Sequence, residues 1–303
     1  MKGSCIIAPL LSLLLLFAFT AQAQFVNQQV GNGTVDWTNQ VVRATGIGSP
    51  NPNMPMAAAR AGALRAAKLD AMRNLLEAVK GVNLTSETTV RNSMTENDVI
   101  VTRVEGIVRN FNQVGQPRYM STGDVEVTVE LTLTGDLLNA LLPSDFGGGA
   151  YAASVQYVCP TCGQPWPSGK PLPPGVQLQS MPGTSAVASS GVFTGLIVDA
   201  RGSGLRPAMA PRILDQNGNE VYGSKFVSRE WAVKIGMVGY EKDINRARTN
   251  DRVTNNPLIV KAIQASGPNQ ADVVVSAADA ASIHAASANM KFLDQCKVMF
   301  IVN

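Results

Sequence analysis

The sequence predicts an α/β protein of the α+β kind: two small sheet-plus-helix domains joined by a Pro/Gly-rich linker. Three observations carry that reading. Val125, Val127, Val129, Leu131 and Leu133 alternate with Glu and Thr, which gives one strand an apolar and a polar face. Residues 57–80 are dominated by strong helix formers, and Leu64, Ala67, Ala71, Leu75 and Val79 step by three or four along them. Between residues 146 and 190 the composition breaks into Gly and Pro, and regular patterning resumes only beyond it. With 45% hydrophobic and 16% charged residues, the chain can bury real cores rather than stay disordered. The expected divisions are 1–23, 24–145, 146–190 and 191–303.

In the first domain, Gly31-Asn32-Gly33 leads into a strand expected over Val35–Thr45, which Gly46-Ile47-Gly48 and three prolines end. The long helix follows, with Gly81 where a C-terminal cap belongs. Val82–Val90 has the Thr- and Val-rich composition of a strand. Ser93–Thr102 reads as a short helix and Val104–Val114 as a strand interrupted by Gly106. A hairpin at Gly123-Asp124 joins it to the alternating strand over Asp124–Thr134, and Asp136–Leu142 closes the domain as a helix. The sum is a small, mostly antiparallel sheet with helix on one face.

The linker holds seven prolines from Cys159 to Pro182, the composition of a semi-rigid spacer. Beyond it, Gly191–Val198 reads as a buried strand, and Asn217-Gly218 suits a type I′ turn in a hairpin over Arg212–Tyr222. Pro257 fits the first turn of a helix running to about Ala265. Ala271–Ser276 is a strand, Ala277–Ala288 a helix and Lys297–Val302 a terminal strand.

Residues 1–23 have the form of a secretory signal peptide: Lys2, an apolar stretch over Ile6–Thr20, then Ala21-Gln22-Ala23, which leaves Gln24 as the mature N-terminus. Cys5 precedes the apolar stretch, so it is not placed for lipidation. No later run reaches the ~18 apolar residues of a spanning helix. The expected location is therefore periplasmic or outer-membrane-associated, without a lipid anchor or a span. A formal net charge of +3, from 25 basic and 22 acidic residues interspersed along the chain, offers no field for nucleic acid. One His in the chain excludes most His-based metal sites.

The sharpest local motif is Cys159-Pro160-Thr161-Cys162-Gly163. In an oxidising compartment the favoured reading is a local disulfide between Cys159 and Cys162. The alternatives are zinc ligation by the same pair and a redox couple. Zinc needs four ligands, and only Cys296 and His284 remain to complete a set. The redox reading wants a helix after the motif, which the following prolines oppose. Cys296 is then a buried odd thiol. Trp166, between two prolines, is a candidate handle for a partner. Glu126 and Glu130 share a strand face and fit a solvated surface better than a catalytic carboxylate pair. Gly46-Ile47-Gly48 and Gly202-Ser203-Gly204 are loop glycines rather than phosphate loops. His284, in an Ala-rich stretch with no nucleophile motif, reads as structural or exposed.

Ala57-Ala58-Ala59-Arg60, Ala63-Leu64, Ala67, Asp70-Ala71 and Asn74-Leu75-Leu76, then Gly81-Val82, Val104–Val108 and Val125–Leu133, together resemble the twenty-kilodalton outer-membrane lipoprotein family. The same residues, about 35–135, are similar to the N-terminal domain of flagellar assembly protein T. That resemblance implies an envelope protein of a Gram-negative bacterium, with roles in surface attachment or in rings around the flagellar basal body. The sequence departs from the lipoprotein family at Gln24, where the family carries a cysteine. The resulting expectation is a non-catalytic structural or assembly protein of the cell envelope, needing no cofactor and linked to flagellar or other surface structures. Its expected partners are envelope or flagellar-type proteins or further copies of itself. The alternative is a zinc- or redox-active envelope protein using Cys159 and Cys162.

Overall fold

The computed structural model describes residues 25–144, 146, 147, 157, 158, 179, 180 and 193–303. The signal-peptide residues, Cys159, Cys162 and Trp166 lie outside the described residues.

The first half contains β1 (Asn27–Val30), β2 (Gly33–Asp36), β3 (Val41–Gly48), α1 (Met56–Lys80), α2 (Val90–Glu96), α3 (Asp98–Arg109), β4 (Asn112–Tyr119), β5 (Val125–Thr132) and α4 (Asp136–Leu141). Its five strands run in the order β1-β2-β3-β5-β4, every neighbour antiparallel. The alternation in β5 places Val125, Val127, Val129 and Leu131 in the core. On the opposite face Glu126 pairs with Arg118 at 3.2 Å and Glu130 with Arg43 at 3.0 Å, the solvated face the alternation predicts.

Helix α1 covers the apolar face, and how it fits there revises the reading of two motifs. Its buried stripe is Ala59, Ala63, Ala67, Ala71, Leu75, Ala78 and Val79, with Leu64 only partly buried beside it. Gly46 does not end the strand but lies inside β3, which runs on to end at Gly48, and both glycines sit directly beneath that stripe. A Cβ at Gly46 would sit 2.0 Å from the Ala71 nitrogen, and one at Gly48 2.1 Å from the Ala63 oxygen. Small residues on both surfaces thus bring helix and sheet backbones into contact. Gly81 is the C-cap of α1, as expected, though at φ −83° it is not left-handed.

Three further expectations are corrected. The single strand over 35–45 is two strands, β2 and β3, joined through residues 37–40, with Gln40 left-handed at φ 56°. Residues 82–90 form no strand, only a bridge between Asn83 and Thr89. The strand expected over 104–114 is mostly helix α3, so the order differs from the one expected. Ile100, Val101, Val104, Ile107 and Val108 recur with helical period, and the Asn97 side chain accepts from the Val99 and Ile100 amides to start the helix. Gly106 faces open space.

Two short strands, β6 (Tyr157–Val158) and β7 (Gln179–Ser180), pair antiparallel between the halves. The second half contains β8 (Gly195–Asp199), β9 (Ile213–Leu214), β10 (Glu220–Tyr222), α5 (Arg229–Ile235), β11 (Gly239–Glu241), α6 (Ile244–Arg248), β12 (Pro257–Ser266), β13 (Asp272–Val275), α7 (Ala277–Met290) and β14 (Val298–Ile301). The sheet order is β10-β9-β13-β12-β8-β14-β11. Strands β12, β8, β14 and β11 are mutually parallel, while β12–β13 and β9–β10 are antiparallel. Both faces of β8 and β14 are covered. Leu196, Val198, Val298 and Phe300 enter the main core, and Ile197, Met299 and Ile301 meet Ala247 of α6 in a second small core.

The helix expected from Pro257 is the ten-residue strand β12. Proline suits the first residue of a strand as well as the first turn of a helix, and β12 pairs on both edges, with β8 and β13. The β9–β10 hairpin forms as expected, but not through a type I′ turn. Only Gly218 of the Asn217-Gly218 pair is left-handed, and the Asp215 carboxylate accepts from the Asn217 and Asn219 amides to round a wider loop.

Candidate functional site

The two halves share one continuous hydrophobic core, and the seam between them holds two of the buried polar side chains among the described residues, Ser86 and Asp272. Residues 83–86, whose composition resembles a strand, use their backbone across the seam. The Met209 and Ala210 amides donate to the Asn83 and Leu84 carbonyls at 3.0 and 2.7 Å, and the Asn269 amide donates to Ser86 O at 2.8 Å. The Val82–Val90 segment thus bonds partly within itself and partly, through the carbonyls of Asn83, Leu84 and Ser86, to the other half of the chain.

The same loop delivers Ser86 to a charged cluster. Asp272 lies at the start of β13, 1% exposed, and a carboxylate there must be compensated in place. Ser86 Oγ donates to Asp272 Oδ2 at 2.5 Å, the Arg212 amide donates to Oδ1 at 2.8 Å, and the Arg212 Nε donates to Oδ2 at 2.9 Å. Arg212 reaches back to Glu87 at 2.9 Å. Burial disfavours the Arg212 cation, but the hydrogen bonds and charges of Asp272 and Glu87 outweigh it and hold its pKa above the usual value. Ser86 and Glu87 come from the first half, Arg212 and Asp272 from the second, so the cluster exists only when the halves are docked.

Two further contacts fix the docking. The Trp37 ring meets the Tyr240 ring edge-on, with centroids 5.5 Å apart, and Tyr240 in turn meets Phe300 at 5.9 Å. The Tyr240 hydroxyl, its pKa pushed up by burial, donates to Ala208 O at 2.9 Å. Arg229 of α5 donates to the carbonyls of Asn139, Leu142 and Pro143, which satisfies the C-terminal end of α4. Beside the cluster lies a cavity of about 170 Å³, lined by Leu84, Leu141, Phe146, Ala210 and Met237, with Glu87 and Arg212 among its polar residues. Its size is comparable to the ~150 Å³ cavity that admits benzene in another protein.

The residues singled out from the sequence fall elsewhere. Cys159, Cys162 and Trp166 lie outside the described residues. Cys296 is a free thiol, fully buried, and burial raises its pKa to about 11. His284 is half-buried against Phe226, with its pKa lowered by burial. Among the described residues no three His, Cys, Asp or Glu side chains converge as a metal site. None of the described helices is long and apolar enough to cross a membrane. Ser86, Arg212 and Asp272 were not legible as a site. The available signal was one carboxylate opening the otherwise apolar run Asp272-Val273-Val274-Val275.

Two family models match, one in each half. Residues 39–132 match the LPP20 lipoprotein family. Residues 195–303 match the second domain of Treponema pallidum Tp0624. No curated protein matches the chain. The first match agrees with the resemblance to the twenty-kilodalton lipoprotein family. The second gives the C-terminal half a relative that its sequence pattern had not suggested.

Proposed function

We propose that the chain is a non-catalytic, envelope-associated assembly component that works as one two-module unit. The observation that carries this reading is the seam. An LPP20-like module and a Tp0624-second-domain-like module share one core, closed by Trp37–Tyr240 and by the Ser86–Asp272–Arg212–Glu87 cluster. Seam bonds that run backbone to backbone suit a fixed presentation of surfaces rather than the domain opening that many enzymes use to admit substrate. The lipoprotein family match and the signal-peptide pattern over residues 1–23 support an envelope address. In this reading Gln24 begins an exported chain without a lipid, Cys159 and Cys162 close a disulfide, and Trp166 meets a partner, an envelope or flagellar-type protein or a further copy.

Fractionation of the native organism with intact-mass analysis tests the address. The expected result is a chain starting at Gln24, two mass units lighter than the fully reduced form, in the periplasmic or outer-membrane fraction. A chain that retains residues 1–23 in the cytosol contradicts it. In-cell cross-linking from Trp166 replaced by a photoreactive residue tests assembly: defined adducts with envelope proteins or with a second copy are expected. A monomer without adducts, with motility and surface structures unchanged on deletion, overturns the assembly role.

A further inference from the structure

A second opening along the seam is built from charge rather than apolar surface. It measures about 460 Å³, and its lining includes Gln40 of the first half with Trp231, Lys234, Arg252, Gln295 and Lys297 of the second. Among the described residues none of these three cations forms an ion pair with a carboxylate. Asp251 is the one acid in the lining. Three cations against one acid leave a local positive excess in a concave site, where the field is less screened than on a flat surface.

The cations are not all loose surface charges. Arg252 is held by neutral acceptors: its Nη1 donates to Gly236 O at 3.0 Å and Cys296 O at 2.9 Å, and its Nη2 to Ile235 O. Two of those carbonyls end α5, whose negative end favours a cation there. The guanidinium is thereby fixed with no carboxylate against it, and burial lowers its pKa. Lys234 Nζ lies 5.1 Å from the centre of the Trp231 ring, which orders both side chains at the rim.

The backbone around the opening is held in an uncommon conformation. Gln40 has φ 56° and Cys296 φ 55°, two of the five left-handed non-glycine residues among those described. Gln40 supplies an amide to the opening from the other half, with its Nε2 donating to Val238 O at 3.0 Å. Cys296 turns its carbonyl onto Arg252. Left-handed residues persist where the surroundings over-determine them, often at ligand sites.

We propose that this groove binds a small acidic saccharide, with its carboxylate or phosphate drawn to Lys234, Arg252 and Lys297 and its ring lying beside Trp231. The cations require the anion. The indole suits the apolar C–H face of a sugar ring, and the amides of Gln40 and Gln295 offer donors and acceptors to hydroxyl groups. The proposal stands apart from the envelope reading, since it rests only on the groove.

Titration calorimetry and 15N NMR of the full chain at low salt, with glucuronate, glucose and inorganic phosphate, test it. The expected result is saturable glucuronate binding that shifts the Trp231 indole and the Gln40 and Gln295 side-chain amides, weakens with salt, and exceeds binding of glucose and phosphate. The Lys234→Gln/Lys297→Gln variant loses at least about tenfold in affinity, as removal of charged hydrogen-bond donors implies, while Lys234→Arg/Lys297→Arg retains it. Lys261→Gln, an exposed charge outside the groove, leaves affinity unchanged. Thermal melts show that all variants are folded. Glucose binding as tightly as glucuronate overturns the role of the cations, and phosphate binding as tightly overturns the sugar. No binding, or equal loss in Lys261→Gln, overturns the site.

Discussion

The two halves reach a folded core by opposite means. In the first, an antiparallel sheet keeps one face wet and brings the other against a single helix so closely that Gly46 and Gly48 of β3 touch the backbone of α1. In the second, parallel strands are covered on both faces, and large side chains such as Phe300, Met299 and Ile197 fill the space. The difference teaches where each half is fragile. The first depends on the absence of atoms and is broken by adding one. The second depends on large side chains and on groups that stay uncharged or paired.

The sharpest way to break the first half is Gly46→Ala. The new Cβ meets backbone atoms of α1 that cannot swing aside, so we expect a loss of about 3 kcal/mol or more, read by urea unfolding. Gly106→Ala, on the open side of α3, is its counterpart and should gain about 0.5–1 kcal/mol from helix propensity alone.

In the second half Cys296 reports the buried core. Its thiol pKa lies at about 11 in the fold against 9.0 ordinarily. The fold therefore keeps its proton to higher pH than the unfolded chain does. The stability this contributes is complete below pH 9, and it is lost as pH rises towards 11, with roughly 3 kcal/mol at stake. In a chain with Cys159 and Cys162 replaced by Ser, thiol labelling at pH 8 should track global unfolding, and Cys296→Ala should flatten the alkaline loss. Labelling faster than unfolding would show that the core opens locally.

The smallest effect belongs to the wet face of the first half. The Arg43–Glu130 pair is half-exposed, and Arg43→Ala should cost less than about 1 kcal/mol and less still in high salt.

This contrast also explains what could be read from sequence. β5 was legible because one of its faces is wet, so its residues alternate. β12 was not: Leu258-Ile259-Val260 carries no alternation, and Pro257 opens a strand as readily as a helix. α3 was obscured by the β-branched residues Val101, Val104 and Val108, although their spacing is helical. Gly46 read as a strand breaker because a glycine that admits a helix and a glycine that turns the chain look alike without the neighbour. The seam was the least legible part. Ser86 and Asp272 are far apart in sequence, and neither belongs to a spaced motif. Trp37, read as an ordinary strand residue, is the first half's aromatic contact to Tyr240.

The central claim is that the seam makes the two halves one cooperative unit. Native-state hydrogen exchange on Asp272→Ala tests it most directly. That change leaves Arg212 and Ser86 without their buried partner and should cost about 3 kcal/mol. If the halves are one unit, the slowest amides of β5 and of β8 lose protection by the same amount, because both report the same global opening. Loss confined to β8 and β13, with β5 unchanged, would show two independent folding units and contradict it.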